Sequence, residues 1–247
     1  ITEGRTILLC LPSPNCLHKK TKIIMIQHLT TMLEQLEMLD KEATLAINAS
    51  GGAFTDAVMP VFSHVKVWIP LYIVVLGIVI YRMGWKAGLI VTLALVLNVV
   101  CADQLANIVK HTAARLRPCV DPWMTAHGVR VLEGGGGYGF YSGHAANVFS
   151  FAICSMLCLS FIRSRKGAMG RESSRNRKIF LGIYGSVIFL WATAVSISRV
   201  YCGKHFLGDI TVGAFSGLIT GSLLALAAIM TVKYIKAIRE SIRPGIA

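Results

Sequence analysis

Three stretches of the chain, Ala145 to Ile162, Ile179 to Ser198 and Ile210 to Val232, contain no charged residue. Each is near or above the ~18 residues at which an apolar run reads as a helix crossing the hydrocarbon of a bilayer. Two more runs are shorter. Ala87 to Ala102 continues through Asp103 toward Lys110, and Val67 to Tyr81 is expected to begin earlier, near Val58, with interruptions at Lys66 and Pro70. The expected fold is therefore all-α, a polytopic membrane helix bundle of about five transmembrane helices. Helical spans also exclude an outer-membrane β-barrel.

Composition agrees with a bilayer as solvent. Hydrophobic residues make up 54% and charged residues 15%, and the mean hydropathy is +0.62, whereas a soluble domain carries roughly a quarter charged residues. The net charge of +13 does not point to nucleic acid, because the basic residues cluster between apolar runs rather than forming one continuous surface. Anionic lipid headgroups and phosphate are the expected partners. The seven cysteines fit no metal-binding spacing. Cys154 and Cys158 read as packing residues, and Cys119 and Cys202 are placed on one membrane face, where a disulfide between them is one option.

Ahead of the spans, Met25 to Leu45 sets Ile26, Leu29, Met32, Leu33, Leu36, Leu39 and Leu45 at helical spacing, with Glu34, Glu37, Asp40, Lys41 and Glu42 on other faces. This is an amphipathic helix, either lying at the membrane interface or packed on the side of the bundle. Residues 1–24 stay unassigned; the apolar stretch Ile7 to Leu11, followed by Pro12 and Pro14, does not read as a signal peptide. Residues 25–240 are expected to form one membrane domain and 241–247 a cytoplasmic tail.

The segment after the third span holds Arg163, Arg165, Lys166, Arg171, Arg175, Arg177 and Lys178 against a single Glu172, as expected of a cytoplasmic loop. Lys233, Lys236, Arg239 and Arg243, and the turn from Arg82 to Lys86, then fall on the same side. The ends of spans two and four and the start of span three meet on the opposite face, where the unusual residues are concentrated.

Lys110, Arg115, Arg117 and Pro118 close the second span; a persisting helix would set Lys110 and Arg117 on one face, either for an anion or snorkelling to headgroups. A glycine run, Gly134 to Gly137, precedes Ser142-Gly143-His144 at the start of the third span, where free N–H groups would suit an anion. The fourth span ends in Ser198-Arg199 and His205-Phe206-Leu207-Gly208-Asp209. His205 and Asp209, four apart, would share one helical face, with the carboxylate holding one ring nitrogen. Taken singly, each feature also has a structural explanation.

Together, Lys110-x6-Arg117-Pro118, Ser142-Gly143-His144 and Ser198-Arg199-x5-His205-x3-Asp209 resemble the three signature motifs of the type 2 phosphatidic acid phosphatase superfamily, which includes bacterial lipid phosphatases and is similar to the vanadium haloperoxidases. The family's second motif usually reads Pro-Ser-Gly-His, and here Tyr141 stands in place of the proline. The resemblance implies His205 as nucleophile forming a phosphohistidine, Asp209 orienting it and His144 protonating the leaving oxygen. It implies Lys110, Arg117, Arg199 and the N–H groups of Ser142 and Gly143 as the phosphate-binding set, with no metal and no cofactor. Such roles suit phosphoryl transfer, where catalysis is mostly positioning and charge stabilisation.

By the same resemblance the substrate is a lipid phosphate or pyrophosphate within the bilayer, undecaprenyl pyrophosphate or lipid A phosphate, and the location a bacterial inner membrane with the site facing the periplasm. The loop from Cys119 to Tyr141, with Asp121, Trp123, His127, Arg130 and Glu133, is expected to act as a lid or headgroup sensor, or to be an ordinary outer loop. A different class of function, a non-hydrolytic lipid or anion transporter, would line a pathway with Lys110, Arg117 and Arg199. The absence of a second, inverted set of charged or broken helices counts against it.

Overall fold

A computed structural model describes residues 14–161 and 174–242. Its helices are α1 (Pro14–Ala49), α2 (Ala53–Ser63), α3 (Ile69–Met83), α4 (Trp85–Ala113), α5 (Pro122–Ala126), α6 (Gly143–Phe161), α7 (Ser174–Tyr201) and α8 (Leu207–Ile242). No strand forms among the described residues beyond an isolated bridge between Leu116 and Tyr138. Five helical segments are long and apolar enough to span a bilayer: Val65–Met83, Trp85–Ala113, Gly143–Phe161, Arg175–Tyr201 and Leu207–Ser241. The all-α, five-span expectation holds.

The first span starts later than its apolar pattern suggests. His64 is extended (φ −81°, ψ 115°) and separates α2 from the 3-10 turn Val65–Trp68 that leads into α3. Pro60 therefore sits inside a separate short helix, and the span does not reach back to Val58. Gly84, at φ 79°, makes the tight turn between α3 and α4, a positive-φ backbone that glycine adopts at no steric cost.

The chain divides into two compact units, residues 1–42 and Ala43–Ala247. In the first, α1 runs unbroken, Lys41 pairs with Glu37 at 2.9 Å, and Leu29, Leu33 and Leu36 are exposed. The helix expected over Met25 to Leu45 is thus present but extends further both ways. In the second unit the last turns of α1 are fully buried at Thr44 and Asn48.

The core of the second unit joins α3, α4, α6, α7 and α8 through residues such as Val79, Leu95, Phe151, Ile188 and Ala225. Trp191 is its aromatic centre, edge-on to Trp68 and Tyr72, both at 5.7 Å between ring centroids. In α6 56% of the most apolar window is buried, against 17–33% in the other spans, so α6 is the central helix. Outward-facing Leu89, Leu93, Val187, Leu190, Ile219 and Leu223 are exposed, as a lipid-facing surface requires.

Because lipid is as apolar as a leucine side chain, helices in a membrane associate through close packing rather than hydrophobic exclusion. Gly213, Gly217 and Gly221, one turn apart on α8, lie against the backbone carbonyls of Ser142, Ala146 and Ser150, themselves one turn apart at α6. A Cβ on Gly213 would come within 2.6 Å of the Ser142 oxygen. The near absence of side chains along this seam brings the first turns of α6 and α8 side by side.

Candidate active site

The seam delivers two helix starts to one place. The Ser142 N–H donates to the Asp209 carbonyl at 3.1 Å, tying the residue before α6 to the first turn of α8. This amide is therefore committed and not free for an anion, contrary to the sequence expectation. The Ser142 hydroxyl accepts from the Ala145 N–H at 3.4 Å, an N-cap for α6. Gly143, the first helical residue, packs close to Lys110: a Cβ there would stand 3.5 Å from Lys110 Nζ and 3.7 Å from Asp103 Oδ1.

His205 and Asp209 do meet, but not as neighbours on one helix. Helix α7 ends at Tyr201, and a turn through Gly203 (φ 73°) leaves His205 outside regular structure, two residues ahead of α8. Added at Gly203, a Cβ would lie 2.8 Å from the Arg130 carbonyl, so this turn requires glycine. Asp209, in the first turn of α8, accepts the Phe206 N–H at 3.0 Å, a backward cap of its own helix. The same oxygen, Oδ2, is 3.4 Å from His205 Nδ1. The other oxygen accepts from Arg115 Nη1 at 2.9 Å, and the Arg115 guanidinium lies over the Phe206 ring at 4.0 Å.

His205 is 2% and Asp209 0% exposed. Burial lowers the His205 pKa to about 4; the bond and charge of Asp209 oppose this, while Arg199 and Arg117 reinforce it. His205 is therefore a neutral imidazole at physiological pH. With Nδ1–H directed to the carboxylate, Nε2 carries the lone pair.

Four cations surround the pair. Lys110 lies in the last turn of α4, which Ala114 in the left-handed region (φ 47°) closes with its N–H on the Lys110 carbonyl at 3.1 Å. Lys110 and Arg117 thus do not share a helical face: Arg117 is extended, and Pro118 follows it. It still reaches the site, with Nε donating to the Tyr138 carbonyl at 3.4 Å and its side chain against Gly139. Arg199 is 5% exposed; its Nη1 bonds Ser63 Oγ and lies 3.6 Å from Glu133 Oε2. Lys204, absent from the sequence expectation, is 3.2 Å from the same Glu133 oxygen. The charges of Arg199, Lys110 and Lys204 all act on His144, in the first turn of α6.

Glu133, expected only as one residue of the outer loop, also accepts from Ser63 Oγ at 3.2 Å through its Oε2. Glu133, Lys204 and Arg115 lie beside the three motifs rather than within their fixed positions, and no spacing rule singles them out. The outer loop is tied down at several points: Gly139 N–H to the Arg115 carbonyl at 2.8 Å, Cys119 Sγ to the Gly135 carbonyl at 3.0 Å, and Arg130 to Asp56 and Asn48. Cys119 and Cys202 are free thiols, so the disulfide that their shared membrane face would permit does not form. Burial and the Glu133 charge push the Cys202 thiol up to about 11, which keeps it protonated.

Tyr141, where the family has proline, is 4% exposed, and its hydroxyl accepts from Ser216 Oγ at 2.9 Å on α8. Below His144 a cavity of about 390 Å³ opens between α3, α4, α6 and α7. Ser63, Asp103, His144 and Asn147 line one end, while Trp68, Tyr72, Leu76, Val99 and Phe151 line the rest.

A five-span helical bundle with these groups gathered at one end defines a multi-pass membrane phosphatase. The chain belongs to the PAP2 superfamily, whose family model matches residues 84–235. It is 34% identical over 200 residues to a lipid A 4'-phosphatase of Bacteroides thetaiotaomicron, covering 80% of each chain. A lipid A 4'-phosphatase of Porphyromonas gingivalis is 29% identical over 76% of this chain and 72% of its own. Two crystal structures share the fold. A transmembrane PAP2-type phosphatidylglycerolphosphate phosphatase of Bacillus subtilis matches at TM-score 0.57 and 18% identity, covering 86% of this chain and 90% of its own. Aquifex aeolicus LpxE matches at TM-score 0.50 and 22% identity, covering 74% and 92%.

Proposed function

We propose that the chain removes a phosphate from lipid A or a closely related phosphorylated glycolipid through a phosphohistidine at His205. The observation that carries this reading is the buried His205–Asp209 pair, which supplies a neutral imidazole with one nitrogen held and the other free. Nε2 of His205 attacks phosphorus, the bond to the lipid oxygen breaks, and His144 gives that oxygen a proton. His144 then takes a proton from water, whose oxygen attacks the phosphohistidine, breaks the P–N bond and releases inorganic phosphate.

Lys110, Arg117 and Arg199, joined by Lys204, neutralise the equatorial oxygens, with the Gly143 N–H beside Lys110 as a further donor. The reading is metal-independent, with the side-chain cations around His205 stabilising the charge that a divalent ion would otherwise offset. The curated relatives, both named for lipid A, favour that substrate over undecaprenyl pyrophosphate. The apolar cavity beginning at His144 suits a lipid chain.

The site lies at the C-terminal ends of α4 and α7 and the N-terminal ends of α6 and α8. Arg82 and Lys86 at the α3–α4 turn, and Lys233, Lys236 and Arg239 near the end of α8, lie at the other ends of those helices. The loop richest in basic residues falls largely on 162–173, outside the described residues. By the positive-inside rule the site faces the periplasm of a bacterial inner membrane.

The test is phosphate release by purified protein in detergent with EDTA present, comparing wild type and His205→Ala on lipid A and on undecaprenyl pyrophosphate. Release by the wild type alone, with a labelled, acid-labile phosphoenzyme, is expected. Equal release by both proteins, or none by folded wild type, would remove the phosphohistidine reading, and the second result would favour transport.

A further inference from the structure

Asp103 is the one acidic side chain among the described residues that line the cavity, at the end where His144 stands. It is exposed and lies within the span Trp85–Ala113, two turns and about 10 Å before Lys110 on α4, on the bilayer side of the site. A carboxylate at such a depth is costly in lipid and marks a functional place. Its Oδ2 accepts from Asn107 Nδ2 at 3.4 Å. Its Oδ1 turns toward the start of α6, where a Cβ on Gly143 would meet it at 3.7 Å and Lys110 Nζ at 3.5 Å. A site that gathers cations for an anion thus carries a carboxylate on the side from which the lipid continues.

The leaving side is where two classes of lipid phosphate differ. Attack by His205 on a monophosphate ester breaks the bond to carbon-bound oxygen and expels an alcohol, protonated by His144. Attack on the terminal phosphorus of a pyrophosphate breaks the anhydride P–O bond and expels a lipid phosphate with its negative charge. With the scissile phosphate at Lys110 and the hydrocarbon in the apolar part of the cavity, the group beyond the leaving oxygen comes level with Asp103. A sugar there presents hydroxyls, which a carboxylate accepts; a second phosphate presents negative oxygens, which it repels.

We propose that Asp103 is a specificity residue that selects lipid monophosphates by repelling the second phosphate of a lipid pyrophosphate. This rests on the phosphatase reading above and names the chemistry of its substrate. Specificity is a difference of affinities, and a like charge set against the competitor produces it without any new contact to the substrate. The phosphate under attack is common to both classes, so a general change in the field at the cations cancels in the ratio of their rates.

The experiment uses lipid A and the same lipid with each phosphate replaced by pyrophosphate. Initial phosphate release by the full chain in detergent gives kcat/KM for each. Wild type should prefer lipid A by about 10-fold or more, the scale of one like-charge contact. Asp103→Asn, of the same shape without the charge, should gain on the pyrophosphate and bring the ratio toward one, with monodisperse elution and Tm confirming the fold. Asp103→Glu, which keeps the charge, should retain the preference. Should Asp103→Asn not fold, Asp103→Ser removes the charge in its place, and the wild-type ratio stands as a test by itself. Equal wild-type rates, faster release from the pyrophosphate, or a ratio unchanged in the folded uncharged variant would overturn the assignment while leaving the phosphatase reading intact. No release from either lipid by folded wild type would instead remove the phosphatase reading beneath it.

Discussion

Arg115 Nη1 lies 2.9 Å from Asp209 Oδ1, so the carboxylate that holds His205 is itself held by a cation at a variable position of the first motif. Asp209 has no solvent exposure, and the Arg115 side chain is 22% exposed. A buried carboxylate without a counter-charge is costly, and one holding two partners is fixed in orientation.

Arg115→Gln should therefore act as a positioning variant. Removing one partner of a buried pair costs about 3 kcal/mol or more, and part of this should appear as a lower Tm. The reaction should lose kcat with little change in KM, because Asp209 is freed to rotate away from His205. Arg115→Lys, which keeps the charge but not the fork, should recover part of the loss. An unchanged kcat in Arg115→Gln would show that Phe206 N–H and His205 alone suffice to orient the carboxylate.

The lowered pKa of His205 sets a direction for pH dependence. Folded His205 titrates at about 4 and an unfolded histidine near 6.5, so between these values the unfolded state binds the extra proton. Stability falls as pH drops through that window, by about 3 kcal/mol at most. His205→Asn should flatten the fall, read from Tm at pH 4.5 and 7. The acid limb of kcat/KM should lie well below 6.5, and in Asp209→Asn, which removes the group raising the pKa, lower still. An acid limb at 6.5 that tracks His205 would contradict the burial argument.

Gly217 tests the helix seam. Its missing side chain lets α8 reach the Ala146 carbonyl on α6, and the same contact line holds Ser142 against Asp209 further up. Gly217→Leu forces the helices apart, with an overpacking cost of about 1–3 kcal/mol or more. Loss of monodisperse protein or a Tm drop of several degrees is expected, together with lost activity. Gly182→Ala, at a glycine of α7 with open space around it, is the control. Equal stability of the two variants would mean that the seam relaxes without consequence.

Glu133 pairs with Arg199 and Lys204, two of the cations that the proposed mechanism assigns to the phosphate. Removing its charge in Glu133→Gln should free both cations, tightening inhibition by inorganic phosphate or vanadate by about 10-fold, the scale of one charge-assisted hydrogen bond. Steady-state inhibition constants read this directly. Weaker inhibition in the variant would mean that Glu133 holds the cations in place for phosphate rather than competing for them.

Five spans, the side on which the basic turns fall and the residues of the three motifs are all legible in the linear chain. Long uncharged runs have one solution in lipid, and fixed residue types at fixed spacing mark chemistry wherever the helices lie. The linear pattern misleads where helix ends decide geometry: Lys110 and Arg117 are separated by the left-handed Ala114, and His205 precedes α8 rather than sharing a face with Asp209. Gly213, Gly217 and Gly221 carry a signal for the seam in their spacing of four. The folded bundle alone reveals that Arg115 backs Asp209, that Glu133 joins Ser63, Arg199 and Lys204, and that the Ser142 amide is taken by the Asp209 carbonyl. These partners are far apart in the chain; the close α6–α8 approach brings Ser142 to Asp209, and the loops and helix ends of α2, α4 and α7 bring the others together, a matter of tertiary packing that no local pattern encodes.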